Sequence, residues 1–130
     1  MAKQFAKTTQ LTIPLRTLTP GLKGPFTSGT LPAALSGYQI DFQNDGTWPT
    51  NGNDVCTITV EQSNDSGQSW VFDASVTLSG QAWTTKQGTV VNTIGWSVSL
   101  DNQGSTGRQI RVSVNVLQTC TLGATVSSLS

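Results

Sequence analysis

Few side chains in this chain are able to do chemistry, and their spacing limits what they can do. The 130 residues include no histidine, which excludes Ser-His-Asp and Cys-His nucleophile systems. Glycoside hydrolysis needs two carboxylates facing one sugar. Asp41 and Asp73 fall on the polar faces of alternating segments, and Glu61 falls near the end of one. Those positions read as solvated faces rather than a converging pair. Asn44, Asp45, Asn51, Asn53 and Asp54 crowd one stretch and offer oxygen ligands to calcium. The EF-hand spacing is absent, however, and a long Asx-rich turn accounts for them. Cys56 and Cys120 lack a CxxC spacing and make no metal site. Two reduced, buried thiols are expected, with a single disulfide as the alternative. No Gly-rich loop opens a helix to cradle a phosphate. The sequence therefore assigns no catalytic residue, no cofactor and no metal.

What remains is aromatic. Trp70 and Trp96 fit the alternation of core-facing positions, so burial is expected for both. Trp48 and Trp83 lie in loop-like settings, Gly-Thr-Trp-Pro and Gln-Ala-Trp-Thr. These two are the candidates for exposed contact, with a glycan or with a protein neighbour.

The elements that must position these groups are strands. Tyr38, Ile40 and Phe42 alternate with polar residues, as do Cys56, Ile58 and Val60. Trp70, Phe72, Ala74, Val76 and Leu78 form a third set, and Ile94, Trp96, Val98 and Leu100 a fourth. Ile110, Val112, Val114 and Val116 form a fifth that runs on toward Cys120, and a last strand is expected near Ala124–Ser128. Period-2 alternation means one face on a core and one in water. Turn clusters separate the sets, among them Asn44-Asp45-Gly46, Ser79-Gly80 and the stretch 101–107. The pattern predicts an all-β antiparallel sandwich, jelly-roll or Ig-like, of six to eight strands. The segments near 94–100 and 108–117 are expected to form a hairpin across 101–107.

Residues 1–37 read differently. They hold Pro14, Pro20, Pro25 and Pro32 with Gly21, Gly24, Gly29 and Gly37, which disfavours long regular elements. Only Leu11–Leu15 alternates, as a short edge strand. We expect an extended N-terminal arm and linker over 1–37 and the sandwich over 38–130. The arm's apolar side chains, among them Phe5, Leu11, Ile13 and Leu15, need a surface to bury against, in this chain or a neighbour. Charge follows the same division. Residues 1–40 carry Lys3, Lys7, Arg16 and Lys23 and no acid, a net +4, and residues 41–130 carry a net −4. Four spread charges are not a polybasic run, so an acidic protein partner fits and nucleic acid does not. Charged residues are 11% of the chain, against the usual ~25%, and such a surface protects a free monomer weakly against association. No apolar h-region follows Met1–Lys7, and no stretch reaches the length of a membrane span.

Ser63-Asn64-Asp65-Ser66-Gly67-Gln68-Ser69-Trp70 has the spacing Ser-x-Asp-x-Gly-x-x-Trp between two alternating segments. It resembles the Asp-box, a β-hairpin motif of sialidases and of many unrelated β-proteins. The resemblance implies a structural turn in which Ser63, Asp65 and Gly67 satisfy the backbone and Trp70 opens the return strand. A sialidase itself does not fit. That six-bladed propeller needs more chain, an arginine cluster and a tyrosine nucleophile, and this chain has only Arg16, Arg108, Arg111 and Tyr38. As a whole, a basic Pro/Gly-rich arm on a Ser/Thr-rich β-sandwich resembles small virion proteins of tailed bacteriophages, of the capsid decoration or cement type. That resemblance implies a non-enzymatic protein, made in the host cytoplasm and placed on the capsid surface. It would bind the major capsid protein or other virion subunits through Lys3, Phe5, Lys7, Leu11, Ile13, Leu15, Arg16 and Lys23, as a homo-oligomer on the particle. The alternatives are a carbohydrate-binding β-sandwich of a phage tail or host-recognition device, and a tail or baseplate component.

Overall fold

In a computed structural model, residues 7–31, 37–44, 47–84, 93–99 and 108–129 are described. Their alternating segments become eight strands: β1 Lys7–Leu18, β2 Gly21–Thr27, β3 Gly37–Gln43, β4 Asp54–Ser63, β5 Val71–Ser79, β6 Thr93–Ser99, β7 Gln109–Val116 and β8 Cys120–Leu129. One sheet has the order β1-β8-β3-β6 and the other β2-β7-β4-β5. Every pairing is antiparallel. The described residues include no helix, so none is long and apolar enough to cross a membrane. First pairs with last, second with seventh, third with sixth and fourth with fifth. This nested order is that of a jelly roll rather than an Ig-like sandwich.

The alternation does its work at the core. Ile40 and Phe42 from β3 and Val126 from β8 meet Ile58 and Val60 from β4 and Val112 and Val114 from β7, all essentially without solvent contact. Burying side chains of this size stabilises the fold by about 1.5–3 kcal/mol each, which is why the two sheets stay together.

Three expectations need correction. Residues 7–27 are not an arm but two strands of the sandwich itself, one at an edge of each sheet. Ile13, Leu18 and Leu31 are buried in the core, and Leu11 and Phe26 pack against it. These five side chains find their surface in their own domain. Pro14 and Pro25 are tolerated because an edge strand has one side free of ladder bonds. Of the expected arm contacts, Arg16 and Leu15 are exposed, and Lys23 is half-buried with Nζ 3.5 Å from Thr19 Oγ1. Lys3 and Phe5 lie outside the described residues, and Lys7 begins β1. Second, β6 and β7 are no hairpin: β6 pairs with β3 and β7 with β2 and β4, in different sheets. Alternation marks a strand but not its partner, and β6 and β7 find theirs elsewhere. Third, the β7 alternation stops at Val116. The chain turns at 117–119, where the Leu117 and Gln118 amides donate to the Val55 carbonyl, and Cys120 starts the opposite sheet.

β1 also contains the reason its length was hidden. Its register against β8 slips between Thr9 and Leu11 and again between Ile13 and Arg16. At the second slip, Pro14 and Leu15 face Gly123. A Cβ on Gly123 would stand 2.8 Å from Leu15 Cα, so only glycine allows this approach.

Candidate binding surface

The hairpin joining β4 to β5 is closed by hydrogen bonds among Ser63, Asp65, Gly67 and Ser69. Ser63 Oγ donates to Asp65 Oδ1 at 2.7 Å and accepts the Gly67 amide at 2.9 Å. Asp65 Oδ1 accepts the Ser69 amide at 2.9 Å, and Oδ2 accepts the Ser69 hydroxyl. These donors from Ser69 and Ser63 hold the Asp65 carboxyl down at a pKa of about 2. Ser66 and Gly67 both take left-handed backbone, φ 61° and 88°. A side chain at Gly67 would also press on Gln109 Oε1, 3.1 Å from the position of a Cβ.

The turn delivers Trp70 to the outer face of the β2-β7-β4-β5 sheet. Trp70 is half-buried there, with the Arg111 guanidinium carbon 4.5 Å from its ring centroid. Arg111 Nε donates to Glu61 Oε1 at 2.9 Å. Glu61 is the cross-strand partner of both Arg111 on β7 and Phe72 on β5. Partners across an antiparallel ladder project to the same face. Arg111, Glu61 and Phe72 thus form one row on the outside of the sheet.

Phe72 belongs to that row because of a β-bulge. Val60 pairs with Ala74, but the next residue, Glu61, pairs with Phe72. Asp73 is the extra residue, and one extra residue reverses which side chains face the core. Phe72 is consequently 62% exposed, and Val71 beside it 60%. Asp73 turns the other way, half-buried, and accepts a hydrogen bond from the Tyr38 hydroxyl of the facing sheet at 3.2 Å. Burial, then the charge of Asp73, pushes the Tyr38 phenol far above its usual pKa.

Beyond this row the outward side chains of Thr57 and Thr59 on β4 and of Ser113 and Asn115 on β7 carry no charge. Thr59 lies opposite Ser75 and Ser113, and Thr57 opposite Thr77 and Asn115. Thr57 Oγ1 and Thr77 Oγ1 are 3.2 Å apart. The surface is a flat strip of hydroxyls and amides ending in an exposed aromatic ring, a carboxylate and a guanidinium. An apolar ring against a ligand's C–H face, with charged and hydroxyl groups beside it for directional hydrogen bonds, suits a polyhydroxylated molecule.

The expected aromatic sites trade places. Trp83, proposed for exposed contact, is 4% exposed. It meets half-buried Trp48 edge to face, with centroids 5.4 Å apart. Trp48 Nε1 donates to the Ser79 carbonyl at 2.8 Å. The pair lines a small depression of about 110 Å³ together with Asn44, Pro49, Thr50, Gly80 and Thr84. Trp96 is half-buried and stacks on Phe42. Phe72, assigned to the core by its parity, is instead more exposed than Trp70 beside it. The Asx-rich stretch is structural where it is described. Asn44 is buried and donates to the Thr47 and Thr121 carbonyls, and Asn51 exchanges hydrogen bonds with Gln118; Asp45 lies outside the described residues. Among the described residues no group of three potential metal-ligating side chains converges. Asp41, Asp73 and Glu61 do not converge either. Asp41 accepts from Gln39, Asp73 from Tyr38 and Glu61 from Arg111.

No protein-family model and no curated protein matches the chain. Among solved structures it is similar to a carbohydrate-binding module specific for non-crystalline cellulose, CBM28, at 11% identity and a TM-score of 0.49; the alignment covers 80% of this chain and 61% of that one. It is also similar to a carbohydrate-binding module from the glycoside hydrolase family 9 protein Cel9A of Ruminococcus flavefaciens, at 14% identity, 95% and 99% coverage and a TM-score of 0.44. A third is the VP2 subviral particle of infectious bursal disease virus, at 9% identity, 97% and 32% coverage and a TM-score of 0.42.

Proposed function

We propose that this chain is a non-catalytic carbohydrate-binding jelly roll whose ligand lies on the outer face of the β2-β7-β4-β5 sheet. The observation that carries the reading is Phe72, turned outward by the Asp73 bulge and set in a row with Glu61 and Arg111. A core-parity aromatic displaced into solvent beside a hydrogen-bonding ion pair is a cost to stability that a ligand would offset. The fold itself is neutral, since jelly rolls serve lectins and viral capsids alike. A glycan array with the wild-type chain and with Phe72→Ala and Arg111→Ala tests the reading. Phe72→Ala should weaken binding about fivefold or more, in line with the ~1 kcal/mol of an aromatic contact, with unchanged thermal stability. Absence of any glycan binding by the wild type overturns it.

A second reading, a capsid decoration or other virion subunit assembled as a homo-oligomer on the particle, has its own observation. Leu15, Leu22 and Leu117 are 46%, 66% and 50% exposed. Deleting residues 2–25 would remove β1 and part of β2 and unfold the domain, so the informative variants are Leu15→Asp and Leu22→Asp. Undiminished particle occupancy by folded variants would sink this reading.

A further inference from the structure

We propose that Cys56 and Cys120 form a cross-link site: an inter-sheet disulfide, closed by a small-molecule disulfide such as oxidised glutathione, that staples the two sheets through their interior strands. Both thiols are free in the structure and buried, 0% and 1% exposed. Cys56 is on β4, flanked in its sheet by β7 and β5. Cys120 opens β8, flanked in the facing sheet by β1 and β3. The chain path brings them together. Val116, the last residue of β7, lies directly opposite Cys56. The Leu117 and Gln118 amides are both tied to the carbonyl of Val55, at 2.7 and 3.2 Å. The turn is therefore pinned to the residue preceding Cys56, and Cys120 re-enters the core beside it.

The thiols interact directly. A hydrogen bond between the two thiols, with burial, raises the pKa of Cys56 and lowers that of Cys120. Exchange accordingly starts at Cys120. The Cys120 thiolate attacks one sulfur of the external disulfide, forming a mixed disulfide and releasing one thiolate. The Cys56 thiol then gives up its proton, and its sulfur attacks Cys120 Sγ and expels the second thiolate. Two protein thiols are oxidised, the external disulfide is reduced to two thiols, and the two protons go with them. Reagent enters when the turn at 117–119 opens locally, since neither sulfur is reachable in the closed core. The link closes roughly half the chain into a loop and joins strands that cannot separate without unfolding both sheets, so it removes many unfolded conformations.

The test uses the whole chain in two arms, native protein with oxidised glutathione and protein refolded from urea in a glutathione redox buffer. Each is followed by alkylation in denaturant and intact-mass measurement. The expected product lacks alkylatable thiols, is lighter by about 2 Da for two hydrogens lost, is monomeric, and melts about 5 °C or more above the reduced form. Cys56→Ser should instead stop with one glutathione on Cys120. Two alkylatable thiols in both arms overturn the proposal, as do stable glutathione adducts on both cysteines, or an oxidised form that melts below the reduced one.

Discussion

Arg111 joins the two halves of the candidate surface, and a double-mutant cycle measures how. Its guanidinium sits 4.5 Å from the Trp70 ring and bonds Glu61 at 2.9 Å, with about a quarter of each charged side chain accessible, 27% and 28%. For a pair so placed, the ion pair contributes about 0.5–1 kcal/mol, and the cation–π contact a further ~0.5–1 kcal/mol. Arg111→Ala should therefore lower the unfolding free energy by about 1–2 kcal/mol, a little of it from the alkyl stem. Urea unfolding of Arg111→Ala, Glu61→Ala, Trp70→Ala and the two doubles separates the contributions. The two couplings should differ in salt. Raising ionic strength from about 0.1 M to about 1 M shortens the Debye length from ~10 to ~3 Å, so the Glu61 coupling falls while the Trp70 coupling, made against a half-covered ring, persists. Arg111→Lys should keep part of the first and lose most of the second, because an ammonium lacks the planar face. A Trp70 coupling below about 0.2 kcal/mol, or one that vanishes with salt alongside that of Glu61, would refute the idea that Arg111 holds Trp70 in place.

Three further outcomes follow from the fold. Gly123→Ala should destabilise by about 2–3 kcal/mol in urea unfolding, because the new Cβ meets the Leu15 backbone at 2.8 Å; Gly29→Ala, with nothing within 4 Å, should be neutral. Asp65 titrates at about 2 when folded and near 3.9 when unfolded. The folded state thus binds fewer protons across that window, and stability is full above about pH 4 and declines as the pH falls toward 2. Asp65→Asn should flatten the acid limb of a stability–pH profile. Tyr38 is shifted upward by burial and by Asp73, so its contribution is complete below the unfolded value of about 10 and is lost as the pH rises beyond it. Tyr38→Phe should remove that alkaline slope, read from thermal unfolding between about pH 8 and pH 12.

Alternation made β3, β7 and the middle of β4 legible, because there one parity is kept and one face is buried. Two kinds of information were not there to read. Pairing between distant strands leaves no local mark. That β1 lies against β8 and β2 against β7 depends on shape and buried area summed over the whole molecule, so residues 7–27 looked like an arm. Parity also fails wherever a bulge intervenes. The slips in β1 broke its pattern into a five-residue fragment, and the slip at Asp73 reversed the apparent facing of Phe72. Trp48 and Trp83 misled for a related reason, since a loop residue is free to fold back on the core and cover itself with another ring.

The Asp-box acquires a different meaning beside that bulge. Its hydrogen bonds fix where β4 ends and β5 begins, and with both strand ends fixed the hairpin has one residue too many for an unbroken ladder. The surplus is absorbed at Asp73, whose carboxylate finds the Tyr38 hydroxyl in the facing sheet. The half-buried bond and the exposed ring are then two consequences of one backbone choice. An Asp turned inward to a satisfied partner requires its neighbour Phe72 to turn outward. The motif supplies only Trp70 to the proposed surface, yet it sets the register that places Phe72, Glu61 and Arg111 in one row. That is how a structural turn comes to specify a surface whose other members lie on three strands.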